Sequence, residues 1–251
     1  MKQILLITDG GSNVGESPVV AAAQAYAEGI VVNVAGVVDD GAIGEHGAAE
    51  IAEIARAGGG MSRIVATPQL SGTVQMMTRK TVAATVQQAV NHELRQLFGV
   101  GSVAELPPAK RAEVVRVMEE IGETAELRVA LLIDASASMR PKLSAVEEAI
   151  RDLSLSLQAR EGNSLAAVFH FPGEFGDEAC VMDSGWTGAV DRIRMLSGKL
   201  KMRGTTPTGP ALQRVLEFFR ETCGNIMVEP VQTSSLAKRD ETLEVRSDYV
   251  V

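Results

Sequence analysis

Cysteine, aromatic residues and long apolar runs are all scarce in this chain of 251 residues. Its two cysteines, Cys180 and Cys223, lack the CxxC spacing, so the sequence indicates neither a disulfide framework nor a zinc site. No apolar run approaches the roughly 20 residues that cross a bilayer. The short run near the amino terminus, Ile4 to Ile7, is too short for the core of a signal peptide. We therefore expect a cytoplasmic protein with no membrane partner.

Positive charge is also scarce, with 24 Lys and Arg residues against 32 Asp and Glu residues and a net charge of −8. This balance argues against non-specific binding to nucleic acid and to membrane surfaces, which favour basic patches. An apolar content of 45% is ordinary for a globular protein. The chain is long enough for one large domain or two small ones with a substantial core.

Strand and helix patterns alternate in two parts of the chain. In the first part, we predict strands at Ile4–Ile7, Ile30–Val38 and Arg63–Ala66, with helices at Pro18–Glu28 and Ala48–Ala57. In the second part, we predict strands at Val129–Ile133, Ser164–Phe171 and Ala179–Met182, with helices at Leu143–Leu157, Val190–Leu200 and Pro210–Arg220. Such alternation predicts an α/β fold with a mostly parallel sheet covered by helices.

The segment between these two parts, residues 68–126, has helical periodicity. Apolar residues from Leu70 to Leu97 mostly recur at intervals of three to five, and a second helix is predicted around Val114 to Ile121. We interpret this segment as a helical connector packed on the sheet. Residues 221–251 are polar, and we expect this tail to be poorly ordered.

Oxygen-bearing side chains follow the apolar run Val129–Ile133 directly, at Asp134, Ser136 and Ser138. Open α/β sheets bind ligands at the carboxyl ends of their strands. A carboxylate and two hydroxyls suit a hard cation such as Mg²⁺, which prefers about six oxygen ligands. Two further loops add oxygens, from Asp9 in TDGG and Thr206 in GTTPTG. Taken alone, each of these loops is more typical of a helix cap or a turn than of a metal site.

Together these motifs resemble the metal-ion-dependent adhesion site (MIDAS) of the von Willebrand factor A (VWA) domain family. DASASM matches the family's DxSxS motif, GTTPTGPAL its threonine loop, and ILLITDGG the aspartate that ends its next central strand. The resemblance covers most of the chain outside residues 68–126 and the tail. It implies a Rossmann-like, doubly wound fold that binds Mg²⁺, with Mn²⁺ and Ca²⁺ as alternatives. The implied metal ligands are Asp134, Ser136, Ser138, Thr206 and Asp9.

The order of the motifs differs from the family's order, in which the DxSxS strand comes first and the TDG strand follows the threonine loop. We therefore interpret residues 1–220 as one circularly permuted VWA-like domain. Residues 1–67 supply the usual carboxyl-terminal half, residues 68–126 the connector and residues 127–220 the usual amino-terminal half. Two incomplete tandem domains, or an exchange of halves between two chains in a dimer, are the alternatives. Close chain ends make such permutations tolerable.

Two residues in or beside the DxSxS motif bear on metal binding. Ala137 replaces the glycine that is often found between the two serines, which is a mild change. Arg140 places a cation beside the site, where it would either recruit an acidic partner or weaken metal binding.

The implied function is metal-dependent binding of a partner protein, in which an acidic residue of the partner completes the metal's coordination. The loops Gly10–Ser17 and Asp39–Gly47 would form the rim. Short cytosolic bacterial VWA proteins often act beside kinases, phosphatases or ATPases, so these are the expected partners.

A Mg²⁺-dependent phosphoryl-transfer or hydrolytic enzyme and a metal-free structural scaffold are the alternative functions. The chain has no GxxxxGK[ST] phosphate loop and no DxD motif of the aspartyl-phosphate type at Asp134. Among its three histidines, His170 is expected to be a satisfied core residue and His92 to lie on the connector helix. His46 is expected in a loop near the site, and it is the histidine worth testing as a catalyst.

Overall fold

A computed structural model describes residues 1–38, 44–173, 178–188 and 205–223. These residues form one six-stranded sheet in the order β3-β2-β1-β4-β5-β6, in which the β5–β6 pair is antiparallel and the others are parallel. The strands are β1 (Lys2–Thr8), β2 (Ile30–Val38), β3 (Gly59–Ala66), β4 (Leu127–Asp134), β5 (Ser164–Phe171) and β6 (Val181–Thr187). The helices are α1 (Pro18–Ala27), α2 (Glu45–Ala57), α3 (Leu70–Phe98), α4 (Pro108–Thr124), α5 (Leu143–Gln158) and α6 (Thr208–Cys223).

This strand order is common in Rossmann-like, doubly wound folds, and it confirms the predicted fold class. The chain winds outward from β1 to β3, returns to the centre at β4, and winds outward again to β6. The strands at the centre, β1 and β4, are therefore direct neighbours, with Ile7 opposite Ile133. The point where the winding reverses lies between them.

The sheet is covered on both faces, which explains why its central strands are apolar at nearly every position. Ile4 and Leu6 pack with α1, α2 and α6 on one face. Leu5 and Ile7 pack with α3 and α5 on the other. All four side chains are at most 1% exposed, so the first strand of the chain lies in the core.

The two helices predicted between residues 68 and 126 are α3 and α4. The apolar face of α3, including Leu70, Val74 and Met77, is buried against the sheet. Gly99 has a φ of 67°, a left-handed conformation that suits glycine at the end of a helix. Helix α4 lies against α3 and buries none of its own residues.

Several predicted boundaries were wrong. Strand β3 begins at Gly59 rather than Arg63, so the glycine run belongs partly to the strand. A Cβ at Gly60 would lie 2.1 Å from the Val32 carbonyl oxygen, so glycine permits this close approach. Strand β6 runs to Thr187, well beyond the predicted Met182, and α6 continues to Cys223. The predicted helix at 190–200 and tail residues 224–251 lie outside the described residues.

None of the helices in the described ranges combines the length and the apolar character that crossing a membrane requires.

Candidate metal centre

The candidate ligands Asp9 and Asp134 leave neighbouring parallel strands at the same edge of the sheet. Asp134 is the last residue of β4, and Asp9 directly follows Thr8, the last residue of β1. This edge is the carboxyl end of the two central strands, where the winding of the sheet reverses. Doubly wound folds bind their ligands at this position.

Asp134 is fully buried, and two hydrogen bonds hold its carboxylate. The Ser136 backbone N–H donates to Oδ1 at 2.8 Å, and the Thr8 hydroxyl donates to Oδ2 at 2.7 Å. Burial, as the largest effect, raises the pKa of Asp134 above its usual value, and the nearby Asp9 charge adds to this increase. A nearby cation would therefore stabilise the ionised form of this buried carboxyl.

The two serines connect Asp134 with Asp9. The Ser136 and Ser138 hydroxyl oxygens lie 3.1 Å apart, and the Ser138 hydroxyl donates to Asp9 Oδ1 at 3.0 Å. Ser136 precedes a short 3₁₀ helix without capping it through its side chain, and Lys142 occupies the cap position of α5. The hydroxyls of the DxSxS loop thus face the carboxylates, instead of serving as the helix caps that the loop alone would suggest.

Thr206 is fixed to the loop that follows Asp9. Its backbone N–H donates to Asn13 Oδ1 at 2.8 Å, and its carbonyl accepts the Asn13 N–H at 3.2 Å. Thr206 is 7% exposed and lies two residues before the start of α6. The two loops also meet at Gly209, where a Cβ would lie 1.9 Å from the Glu16 carbonyl oxygen. Side-chain and backbone hydrogen bonds thus join four of the predicted ligands, Asp134, Ser136, Ser138 and Asp9. Thr206 is held through Asn13 to the loop that follows Asp9.

Sequence reasoning missed Lys142, whose ammonium donates to Asp9 Oδ2 at 2.6 Å and to the Ser138 carbonyl at 3.0 Å. The cation noticed in the sequence was Arg140, which is exposed. The spacing of Lys142, four residues after Ser138 at the start of a helix, is the signal that could have indicated it.

Glu50 of α2 was missed as well. It accepts hydrogen bonds from the Ser12 backbone N–H, at 2.6 Å, and from the Ser12 hydroxyl. These contacts attach the loop after β1 to α2.

The donor chemistry fits a hard divalent cation. Two carboxylates and neighbouring hydroxyls are the ligands that Mg²⁺ prefers. Within the described ranges, no group of three or more His, Cys, Asp and Glu side chains could hold a metal. A metal at this edge would therefore depend on Asp9, Asp134 and hydroxyl oxygens.

The histidines differ in their surroundings. His170 is 4% exposed, and its Nδ1 lies 2.7 Å from Asp183 Oδ2, so it is the satisfied core residue that we expected. His92 lies on α3 beside Gln96. His46 was predicted in a loop, but it lies near the start of α2 with its side chain exposed. The loop prediction failed because helix α2 begins at Glu45, three residues earlier than its apolar pattern suggested.

The chain matches no family model. It is 46% identical over 222 residues to a Bacillus subtilis (strain 168) protein described as uncharacterized protein YabS, covering 88% of this chain and 90% of that protein. A crystal structure of an uncharacterized protein from Alicyclobacillus acidocaldarius is 44% identical and covers 90% of this chain and 96% of that one, with a TM-score of 0.83. Proximal thread matrix protein 1 from the mussel byssus, in a structure with a zinc-occupied MIDAS motif, reaches 15% identity and a TM-score of 0.26, which is too low to support any argument.

Proposed function

We propose that this chain, which belongs to the family of the Bacillus subtilis protein YabS, is a circularly permuted VWA-type module that binds a partner protein through a divalent cation. The main support is the placement of Asp9 and Asp134 on neighbouring central strands, joined through the hydroxyls of Ser136 and Ser138. Asp9 and Asp134 come from opposite parts of the chain, so their convergence is not a consequence of local sequence.

The strand order supports the permutation. The sheet order β3-β2-β1-β4-β5-β6 has the same form when the two halves are exchanged, because each half winds outward from the centre. The ends of the halves also meet, since the Arg128 backbone N–H donates to the Met1 carbonyl at 2.9 Å and its guanidinium donates to the Thr222 carbonyl at 3.4 Å. An exchange of halves between two chains is the alternative arrangement.

Asp134, Ser136, Ser138, Thr206 and Asp9 are the proposed ligands of Mg²⁺, with Mn²⁺ and Ca²⁺ as alternatives. When bound, the metal would supply positive charge and an open coordination position for an acidic side chain of the partner. The chain's own residues prepare this site. Thr8 and the Ser136 backbone orient the Asp134 carboxylate, and Asn13 fixes the loop that carries Thr206.

The loop after β1 is the proposed rim of the binding surface. Ser12 is held to Glu50, whereas Val14 two residues later is 49% exposed. An exposed apolar side chain on a fixed loop beside a charged centre suits the contact surface of a protein partner. A kinase, a phosphatase or an ATPase is the proposed class of partner. Residues 39–43 of the second rim loop lie outside the described residues.

One observation favours the metal-free scaffold as a second candidate. The Lys142 ammonium already balances the charge of Asp9. The cluster of charged and hydroxyl side chains at this site therefore holds a cation of its own; its members are Asp9, Asp134, Ser136, Ser138 and Lys142. A scaffold of this kind would bind partners equally well with and without Mg²⁺. The enzyme alternative has no comparable support, and turnover of a model phosphoester that Asp9→Ala abolishes would favour it.

Affinity capture from a cell extract tests the proposal. The wild type and Asp134→Asn are used as baits, each with Mg²⁺ and with a chelator. Asp152→Asn is the control, because Asp152 is a partly exposed carboxylate on α5 that accepts a hydrogen bond from the Ser71 hydroxyl of α3. We expect a partner that the wild type and the control retain only with Mg²⁺, and that Asp134→Asn does not retain. A partner retained by every bait in chelator would contradict metal-dependent binding.

A further inference from the structure

Lys142 is placed unusually for a lysine at the start of a surface helix. Its side chain is 10% exposed, and the side chain of its ion-pair partner Asp9 is 7% exposed. The ammonium bridges the two halves of the chain, because it donates to Asp9 after β1 and to the Ser138 carbonyl after β4. Lysine is seldom buried to this degree unless it is paired.

Both oxygens of Asp9 are engaged in this arrangement. Oδ1 accepts the Ser138 hydroxyl at 3.0 Å, and Oδ2 accepts the Lys142 ammonium at 2.6 Å. A divalent cation bound by Asp9 and Ser138 would therefore lie close to the ammonium. Two positive charges at about 4 Å repel strongly in a partly buried site, where the effective dielectric constant is far below that of water.

On the basis of the metal site proposed above, we propose that Lys142 is a built-in counter-cation that competes with the divalent cation for Asp9. In the metal-free protein, Lys142 neutralises Asp9 and holds the two halves together. Binding of the divalent cation displaces the ammonium from Asp9. Lys142 thereby sets the concentration of metal at which the site fills.

Through the charge of the cluster, this competition would determine whether an acidic partner binds. Asp9 and Asp134 supply two negative charges and Lys142 one positive charge, so the ionised cluster is net negative without metal and repels an acidic partner. A divalent cation reverses the sign of the cluster. The partner's acidic group would then meet a positive surface only when the metal has displaced Lys142.

Metal titration of the full chain by calorimetry tests the proposal, with MgCl₂ as the titrant. We expect Lys142→Gln to bind Mg²⁺ at least about tenfold more tightly than the wild type, because the repelling charge is gone. Lys80→Gln is the control, since Lys80 is exposed on α3. The affinity of this variant for Mg²⁺ should equal that of the wild type. Lys142→Met, which keeps the aliphatic stem, should reproduce the gain if the glutamine variant folds poorly.

The outcomes separate this inference from the proposed function. Equal or weaker Mg²⁺ binding by a folded Lys142 variant, with measurable binding by the wild type, would overturn the counter-cation role and leave the metal site standing. The absence of binding by both the wild type and the variants would overturn both proposals.

Lysine footprinting of the unmodified protein gives a second readout that requires no variant. An amine-reactive reagent followed by mass spectrometry should label Lys142 slowly in chelator, because its ammonium is held in the ion pair. Saturating Mg²⁺ should increase labelling of Lys142 several-fold and leave labelling of Lys80 unchanged. Labelling of Lys142 that is the same with and without Mg²⁺, in a protein shown to bind the metal, would overturn the displacement.

Discussion

Asn13 and Thr206, which are 193 positions apart, exchange two hydrogen bonds. The Asn13 side-chain oxygen accepts the Thr206 N–H at 2.8 Å, and the Thr206 carbonyl accepts the Asn13 N–H at 3.2 Å. The loop after the first strand is thus held to the loop before the last described helix. Because the first loop carries Asp9 and the second carries Thr206 itself, this pair brings two proposed ligands to one edge of the sheet.

Replacing Asn13 with Ala should lower both stability and metal affinity. The Thr206 N–H, which lies in a partly buried hydrogen bond, would lose its acceptor, and such a loss costs about 1–3 kcal/mol. In a domain of this size, 1 kcal/mol corresponds to about 2–4 °C, so the Tm should fall by about 2–12 °C in a thermal unfolding experiment. Asn91→Ala is the matched control, because it removes a similar bond, from the Val103 N–H at 3.2 Å, within the connector. The control should lower the Tm without changing Mg²⁺ binding, and an equal loss of affinity in both variants would refute the positioning role.

Deletion of Met1 to Gly11 should unfold the protein. Strand β1 pairs with β2 on one side and β4 on the other, so its removal divides the sheet. Far-UV circular dichroism and size-exclusion chromatography should show the loss of cooperative unfolding and of a compact monomer or dimer. A truncated chain with a native spectrum and a cooperative transition would contradict the central position of β1.

The fold class could be predicted because apolar runs and turn residues alternate regularly along the chain. The position of Asp9 beside Asp134 was predictable only through the resemblance of the motifs, since no local pattern connects the two residues. Only the spacing of Lys142 from Ser138 hinted at its role, because its burial depends on Asp9, which lies 133 positions away. The start of β3 was misplaced for a related reason. A run of glycines locally favours a break, whereas here Gly60 allows the backbone to approach Val32 closely.

A rearranged chain that begins at Ser102, runs to Val251 and continues through Met1 to Gly101 should fold. It restores the usual order of the motifs, with residues 224–251 as the linker between the halves. Stability changes only slowly with the length of a connection, by about 0.6 kcal/mol for each doubling, so the Tm should stay within about 5 °C of the wild type. Thermal unfolding and Mg²⁺ titration are the measurements. A rearranged chain that fails to fold would contradict the equivalence of the two orders.

The two cysteines should differ sharply in reactivity. Cys180 is 7% exposed, and burial, as the main cause, raises its pKa from 9.0 to about 12. The thiolate is the reactive form, and at pH 8 this increase lowers its fraction about 1000-fold. A chromogenic thiol reagent should therefore label one thiol in the native wild type and in Cys180→Ser, but almost none in Cys223→Ser until it is unfolded. Rapid labelling of native Cys223→Ser would show that Cys180 is accessible.

Asp134→Asn should stabilise the metal-free protein at neutral pH. Burial raises the pKa of Asp134, so this carboxyl favours folding when protonated and loses that contribution as the pH rises through its raised pKa. Asparagine removes the buried charge and can still accept the Ser136 N–H, while the Thr8 hydroxyl can rotate to accept a hydrogen bond. In chelator at pH 7, the Tm should increase by a few degrees over the wild type. A lower Tm would mean that the ionised carboxylate is already stabilised within the protein.

Calorimetric titration of the wild type and of Asp134→Asn with Mg²⁺ tests the central claim most directly. Mutating groups that merely support a metal ligand costs about 10–100-fold in affinity, so loss of a charged ligand should exceed that range. We expect one Mg²⁺ bound per wild-type chain, and binding by the folded Asp134→Asn variant that is more than about 100-fold weaker. A wild type that binds no Mg²⁺, or a variant that binds it as well as the wild type does, would contradict a metal centre at this edge of the sheet.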